Sequence, residues 1–292
     1  MKCQIQGPLV ATDWLEENLG SENLRIFDVS VTLEESTTGF GYLAVSGLSS
    51  WKQAHIDGSG FLDVGQELSD QSCDLGFMMP SPNALGKTLE KKGVDETSTI
   101  VLYNRGAPMW ATRVWWMLRS IGIKNVGVLN GGWDKWLREE RPISNASCHY
   151  RRGRVISKLN SAMWVGKEEM LKAVKKGKPL TLNALSPAVY SGDKNQYGRP
   201  GHLPGSWNVY YADLLDIESG EFKQAAEMKE KFESSGALRA SRVITYCGGG
   251  ISATVLCFAL HLCGQDSVGV YDGSMSEWVQ NERLPLTLGN AP

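Results

Sequence analysis

Hydrophobic positions along the chain switch repeatedly between short continuous runs and three-and-four spacing, which predicts strands alternating with helices. Thr12 to Leu19 reads as a first helix, capped by Thr12 or Asp13, and Leu24 to Val29 as a strand. A stretch rich in Ser, Thr and Gly, from Glu34 to Ser50, reads as a long connection, and Phe61 to Val64 as the next strand. Ser81-Pro82 opens a helix that ends near Gly93. Thr99 to Tyr103 is predicted as a strand, Trp110 to Ser120 as an apolar helix stopped at Gly122, and Val126 to Leu129 as a strand. Gly131-Gly-Trp-Asp-Lys-Trp136 then starts a last helix before Arg141-Pro142.

The second half repeats this order. Gly166 to Lys175 reads as a helix, Leu180 to Ala184 as a strand, and Lys223 to Ser234 as a helix. Val243 to Tyr246 is a β-branched and aromatic strand, followed by a glycine loop and a helix with Val255, Phe258, Ala259 and Leu262 on one face. Val268 to Tyr271 is a strand, and Asp272-Gly-Ser-Met-Ser-Glu-Trp278 starts a last helix before Leu284-Pro285. Gly122, Val128, Gly131 and Trp136 pair with Gly264, Val270, Gly273 and Trp278 at one offset (264 − 122 = 142). His55-Ile-Asp-Gly-Ser pairs with His202-Leu-Pro-Gly-Ser at another (202 − 55 = 147). The chain is therefore two copies of one α/β domain, each a mainly parallel sheet with helices on both faces. The boundaries expected are 1–145 and 163–292, joined by a polar, aperiodic linker at 146–162.

The repeat isolates one chemical feature. Cys247 sits where a strand ends, before the only glycine triplet of the chain and just ahead of a helix. Backbone N–H groups of Gly248, Gly249, Gly250, Ile251 and Ser252 can form an anion-binding concavity there, with the helix dipole behind it. The ionisable group in that loop is the thiol, so the expectation is a depressed pKa and a reactive nucleophile. A buried, inert cysteine is the bland alternative. The first copy has Tyr103-Asn104 at the matching strand end and no thiol, so it is expected to be catalytically inactive.

Composition narrows the class. The 292 residues carry 30 basic and 32 acidic side chains, a net charge of −2, with no basic surplus to attract nucleic acid or an anionic membrane. Met-Lys-Cys-Gln-Ile-Gln-Gly-Pro lacks the apolar core of a signal peptide, and the longest apolar run, Ile251 to Cys263, is too short to span a bilayer. A cytoplasmic location is expected. The six cysteines are scattered without a C-x-x-C pair and read as free thiols. Cys257, His261 and Cys263 invite a metal reading, but Cys263 leaves the helix face of the other two, and core packing is the better account.

Several stretches, in this order, resemble the two-domain rhodanese-like sulfurtransferases, the family of thiosulfate and 3-mercaptopyruvate sulfurtransferases. They are Arg-Val-Trp-Trp (113–116), Leu-Asn-Gly-Gly-Trp (129–133), Gly-His-Leu-Pro-Gly-Ser (201–206), Tyr-Cys-Gly-Gly-Gly-Ile-Ser-Ala (246–253) and Tyr-Asp-Gly-Ser…Glu-Trp (271–278). The resemblance implies that Cys247 in the second domain is the nucleophile, working at the cleft between domains. It implies ping-pong transfer of a sulfane sulfur from a small donor to a thiol or cyanide through a Cys247 persulfide. It also implies no cofactor or metal, a small thiol or thioredoxin-like protein as acceptor, and a monomer.

Departures from the family bear on the donor. Thiosulfate enzymes carry basic residues in the loop, where this chain has Gly248 and Gly249. Mercaptopyruvate enzymes have a neutral loop like this one, yet hold the substrate with two arginines where this chain has Leu185 and Ser191. Arg199, in Tyr197-Gly-Arg-Pro-Gly-His202, is the candidate replacement clamp, weighed against an arginine engaged in structure. Tyr190, Tyr211 and Trp110 are candidate cleft-lining residues. His202 has a counterpart in His55 of the inactive copy, which argues for a structural role. Two other classes compete with sulfur transfer. A cysteine phosphatase or arsenate reductase needs Cys-x5-Arg, and the sixth residue after Cys247 is Ala253. A non-catalytic rhodanese-type binding module would not need the thiol.

Overall fold

The computed structural model describes residues 2–36 and 39–292. It contains two five-stranded sheets with every neighbouring pair parallel. From edge to edge the first runs Leu9–Val10, Val126–Leu129, Thr99–Tyr103, Leu24–Asp28, Gly60–Phe61. The second runs Trp164–Val165, Val268–Tyr271, Val243–Tyr246, Leu180–Asn183, Ser206–Asn208, in the same order. Each central strand, Thr99–Tyr103 and Val243–Tyr246, is buried throughout. Helices cover both faces of a parallel sheet, and that is why these strands are continuous apolar runs. The expected α/β class and the tandem arrangement of two like parallel-sheet domains are both present.

The repeat holds at the level of single hydrogen bonds. The Tyr103 hydroxyl meets Ser59 Oγ at 2.9 Å and accepts from Ile56 N, while that of Tyr246 meets Ser206 Oγ at 2.7 Å and accepts from Leu203 N. Trp136 Nε1 donates to Pro142 O at 2.9 Å, and Trp278 Nε1 to Pro285 O at 3.0 Å. His55 stacks on Trp51, and His202 stacks on Tyr190 with ring centroids 3.7 Å apart. Each histidine directs both ring nitrogens at main-chain carbonyls. Buried and paired this way, they hold the fold together and are remote from acid–base work.

The two halves meet along the helices Met109–Ser120 and Ala253–Leu262. Their closest polar contact joins Thr112 Oγ1 to Thr254 Oγ1 at 2.9 Å, and 254 − 112 = 142 is again the repeat offset. Equivalent residues touch only where a two-fold axis passes, so the copies are related by pseudo-two-fold symmetry. Trp115 packs edge-on against Phe258 at 4.8 Å, and one apolar core runs unbroken through both copies. Burial of that helix pair fixes the cleft in which Cys247 sits.

The structure differs from the sequence reading at several places. The first helix, Thr12–Glu17, has Ala11 at its N-cap with no side-chain cap, in place of Thr12 or Asp13. Around the stretch Glu34 to Ser50 expected to be a connection, Val31–Glu35 and Tyr42–Ser46 form an antiparallel hairpin, followed by a short helix Leu48–Gln53. Four of the five residues of its first strand are exposed, so no buried alternation marks it in the sequence. The hairpin reaches the other copy: Gly41 N donates to Gln196 O at 2.8 Å, and Lys194 pairs with Glu35. The linker, for its part, is strapped to the first copy, with Lys158 N on Ile121 O, Asn160 N on Ser120 O and Gly153 N on Glu90 O.

Candidate active site

Strand Val243–Tyr246 delivers Cys247, only 2% exposed, to the floor of a cavity of about 450 Å³ between the copies. Four of the loop's carbonyls, those of Cys247, Gly248, Gly250 and Ile251, are engaged by hydrogen bonds. Met275 N donates to Cys247 O at 3.0 Å and Ser276 N to Gly248 O at 2.8 Å, so the start of the last helix takes both. Arg113 Nη1 donates to Gly250 O, and Thr254 to Ile251 O. The N–H groups of Gly248, Gly249, Ile251 and Ser252 find no acceptor among the described residues. Unpaired amides in a glycine loop that opens a helix are suited to hold an anion. The fifth amide of the expected cradle, that of Gly250, is committed elsewhere, to Ser274 Oγ at 3.1 Å.

Ser274 is a functional residue that the sequence reading passed over. Its hydroxyl accepts from both Cys247 N and Gly250 N at 3.1 Å, which sets the curvature of the loop. Its backbone is left-handed, φ 49, and its counterpart at the repeat offset is Gly132, φ 54 (274 − 132 = 142). A serine standing where the other copy has glycine is the signal that was available. Left-handed backbone costs a non-glycine residue about 1 kcal/mol, offset here by the two amides it holds. Ser274→Gly should therefore change Tm little while lowering the rate of sulfur loading several-fold, read by stopped-time intact mass.

The first copy shows the opposite polarity. Asn104 occupies the position of Cys247, and its Nδ2 donates to the carbonyls of Arg105 and Ala107, both at 2.8 Å. Carbonyls that turn inward around an amide donor would repel an anion. Asn104 thus holds two carbonyls of its own loop, as no side chain does in the loop after Cys247 except Arg113 and Thr254.

The first copy, which has no cysteine in its loop, also builds the site. Arg113, fully buried, donates to Asp272 Oδ1 at 2.6 Å, to Gly250 O at 3.2 Å and to Phe77 O at 2.6 Å. Asp272 Oδ2 accepts from Met79 N at 2.8 Å in return. Phe77 and Trp110 of the first copy, ring centroids 4.9 Å apart, form one wall of the cavity. Tyr197 and Tyr211 line another. Burial, then the charge of an ionised Cys247, pushes the Tyr197 phenol far above its usual range. Burial likewise pushes Tyr211 up, to about 12, so both rings stay neutral. A Cβ at Gly248 would come within 1.9 Å of the Tyr197 hydroxyl, so this position admits no side chain while Tyr197 is there. At Gly249 a Cβ meets nothing closer than 4.0 Å.

Of the other candidates, Trp110 and Tyr211 line the cavity, and Tyr190 and Arg199 do not. Tyr190 is buried beneath His202 and donates to Ser206 O. Arg199 donates to Asn281 O at 3.0 Å and Leu284 O at 2.9 Å, tying its loop to the C-terminal segment. Leu185 lines the cavity, whereas Ser191 is buried against Asp193. Cys257, His261 and Cys263 go separate ways, to Thr245, Asp266 and Ala225. Burial pushes the Cys257 thiol up to about 12, the mark of an inert core cysteine.

Comparison with known proteins agrees with this architecture. The profile of the rhodanese-like domain matches twice, at residues 11–139 and 168–281. The chain is 28% identical over 283 residues to the 3-mercaptopyruvate sulfurtransferase of Escherichia coli, covering 95% of this chain and 96% of that one. It is 28% identical over 277 residues to the thiosulfate sulfurtransferase of Gallus gallus, covering 92% of each. The crystal structure of the Escherichia coli 3-mercaptopyruvate enzyme superposes with a TM-score of 0.81 at 26% identity, over 92% of this chain and 99% of that one. With two matched domains that fill most of its length, the chain belongs to the rhodanese-like family, as a tandem-domain sulfurtransferase.

Proposed function

We propose that Cys247 carries the sulfur. Its thiolate attacks the outer sulfur of thiosulfate or the thiol sulfur of 3-mercaptopyruvate, an S–S bond forms, and the electron pair of the broken S–S or C–S bond leaves with sulfite or with the pyruvate enolate, which takes up a proton. The persulfide is then attacked at its outer sulfur by a thiol or cyanide, which restores the thiolate. The observation that carries this reading is the set of four loop amides left without acceptors directly after Cys247 while four carbonyls of the same loop are engaged. Such amides stabilise an anionic persulfide and the charge that develops in both steps. The test is intact mass spectrometry after incubation with 3-mercaptopyruvate or thiosulfate. A gain of one sulfur that requires Cys247 is expected, and its absence would sink the proposal. A thiol unreactive towards iodoacetamide near neutral pH would favour a binding module instead.

For the donor, 3-mercaptopyruvate is preferred over thiosulfate. Among the described residues lining the cavity there is no Lys, Arg or His, so nothing neutralises a dianion. Gly249 is the position with room for one. Gly249→Lys is accordingly expected to raise kcat/KM for thiosulfate relative to 3-mercaptopyruvate, by roughly tenfold from one charge-assisted contact. Arg199→Ala should leave KM for either donor unchanged and lower Tm instead, since its guanidinium holds main-chain carbonyls; a raised KM would return Arg199 to the donor site. The acceptor is a small thiol or a thioredoxin-like protein. A cytoplasmic monomer is our reading, supported by six unpaired cysteines, which fit a reducing compartment. Among the described residues no helix is long and apolar enough to cross a membrane.

A further inference from the structure

The cavity above Cys247 has an unusual lining for a site that handles anionic donors. Seven of its side chains are aromatic, Phe40, Tyr42, Trp110 and Tyr197 among them. Among the described lining residues the one formally charged side chain is Asp74, an exposed carboxylate at the rim. Leu185 adds an apolar wall where the family resemblance led one to expect an arginine. The groups that favour an anion are the unpaired amides of the loop that follows Cys247. Arg113, the nearest guanidinium below the loop, is sealed against Asp272 and Gly250 O. Floor and walls therefore ask for different things: an anionic sulfur below, and a group above it that tolerates aromatic faces and a carboxylate.

From this charge layout, and resting on the sulfur-transfer reading above, we propose that the physiological acceptor is a small thiol bearing a cationic amine and no net negative charge. Its thiolate reaches the outer sulfur of the Cys247 persulfide, forms the new S–S bond, and releases the Cys247 thiolate as the old one breaks. Its ammonium lies against the aromatic walls near Asp74. Aromatic faces attract cations through their quadrupole, and the exposed carboxylate at the rim adds a weaker, solvent-screened attraction while opposing a carboxylate on the ligand. A ring of neutral phenols strengthens the argument, because Tyr197 and Tyr211 stay protonated and add no competing charge.

Two measurements test it, and the first does not need persulfide chemistry. Unloaded protein is treated with methanethiosulfonate reagents carrying a 2-aminoethyl, a methyl or a 2-sulfonatoethyl group. Modification of Cys247 is followed by peptide mapping, and each rate is divided by that of the same reagent with a free thiol. The expected order is cation, neutral, anion, with the ends on the order of tenfold apart. Asp74→Asn and Tyr42→Leu should each compress the spread. In the second, sulfur-loaded protein is discharged by 2-aminoethanethiol, 2-mercaptoethanol and 3-mercaptopropionate, each normalised to its rate with a free persulfide, and the same order is expected. A flat or reversed order in the first series overturns the proposal. Failure to load with sulfur condemns the sulfur-transfer reading alone, and the first series still decides the charge preference of the cavity.

Discussion

Cys247→Ser is expected to abolish sulfur loading and to lower turnover on the order of 10³-fold or more, while leaving the fold and Tm nearly unchanged. A hydroxyl in this loop meets the same amides but is not deprotonated near neutral pH, and oxygen forms no persulfide. The structure supplies the control. Cys257, ten residues on, is buried in the apolar helix with its thiol pushed up to about 12. Cys257→Ala should retain the one-sulfur mass increase. If Cys247→Ser protein still gained sulfur, another cysteine would be the carrier and the loop geometry would have to be reinterpreted. The same variant separates the enzyme from a binding module, because a partner-binding role would survive it.

Arg113→Leu is expected to be the most damaging substitution outside the loop, although Arg113 belongs to the copy without a nucleophile. Its guanidinium is fully buried, and it satisfies Asp272, Gly250 O and Phe77 O together. Removing one partner of a buried ion pair leaves the other charge uncompensated, a loss of about 3–5 kcal/mol. For a chain of this size that corresponds to a fall in Tm of roughly 6–20 °C. Sulfur loading at a permissive temperature should fall too, since Gly250 O is freed to rotate towards the cavity and the loop amides lose their orientation. The double variant Arg113→Leu with Asp272→Asn should recover a large part of the stability but not the loading rate. Equal recovery of both would mean that Arg113 acts through the fold alone.

The Arg113 result marks where the sequence stops being informative. Arg-Val-Trp-Trp (113–116) stood out as a motif, yet nothing local says that its arginine crosses to the other copy. Likewise Tyr197 reads as one more aromatic until folding places its hydroxyl beside Gly248. The hairpin at 31–46 left no periodic signal, because one of its strands buries a single residue. Arg199 was legible as a cation near the cleft in sequence, but the structure directs it to two carbonyls. Charge along the chain does not reveal which acceptors folding brings within reach.

What the sequence determined by itself was everything carried by short-range pattern. Continuous β-branched runs specified parallel strands buried on both faces, the offset of 142 residues specified two copies, and Cys247 before three glycines specified where a nucleophile could lie. Each depends on backbone periodicity or on residues adjacent in the chain. The tertiary structure alone decided the polarity of the loop and the character of the cavity. Loop amides are free because Met275 and Ser276, each 28 residues along the chain from the carbonyl it holds, and Arg113, 137 residues from Gly250, engage the carbonyls. The cavity is aromatic and without a basic side chain among its described residues only because pseudo-two-fold packing brings walls from both copies over one cysteine. Hydrogen bonding and burial act through space, and no window along the chain contains them.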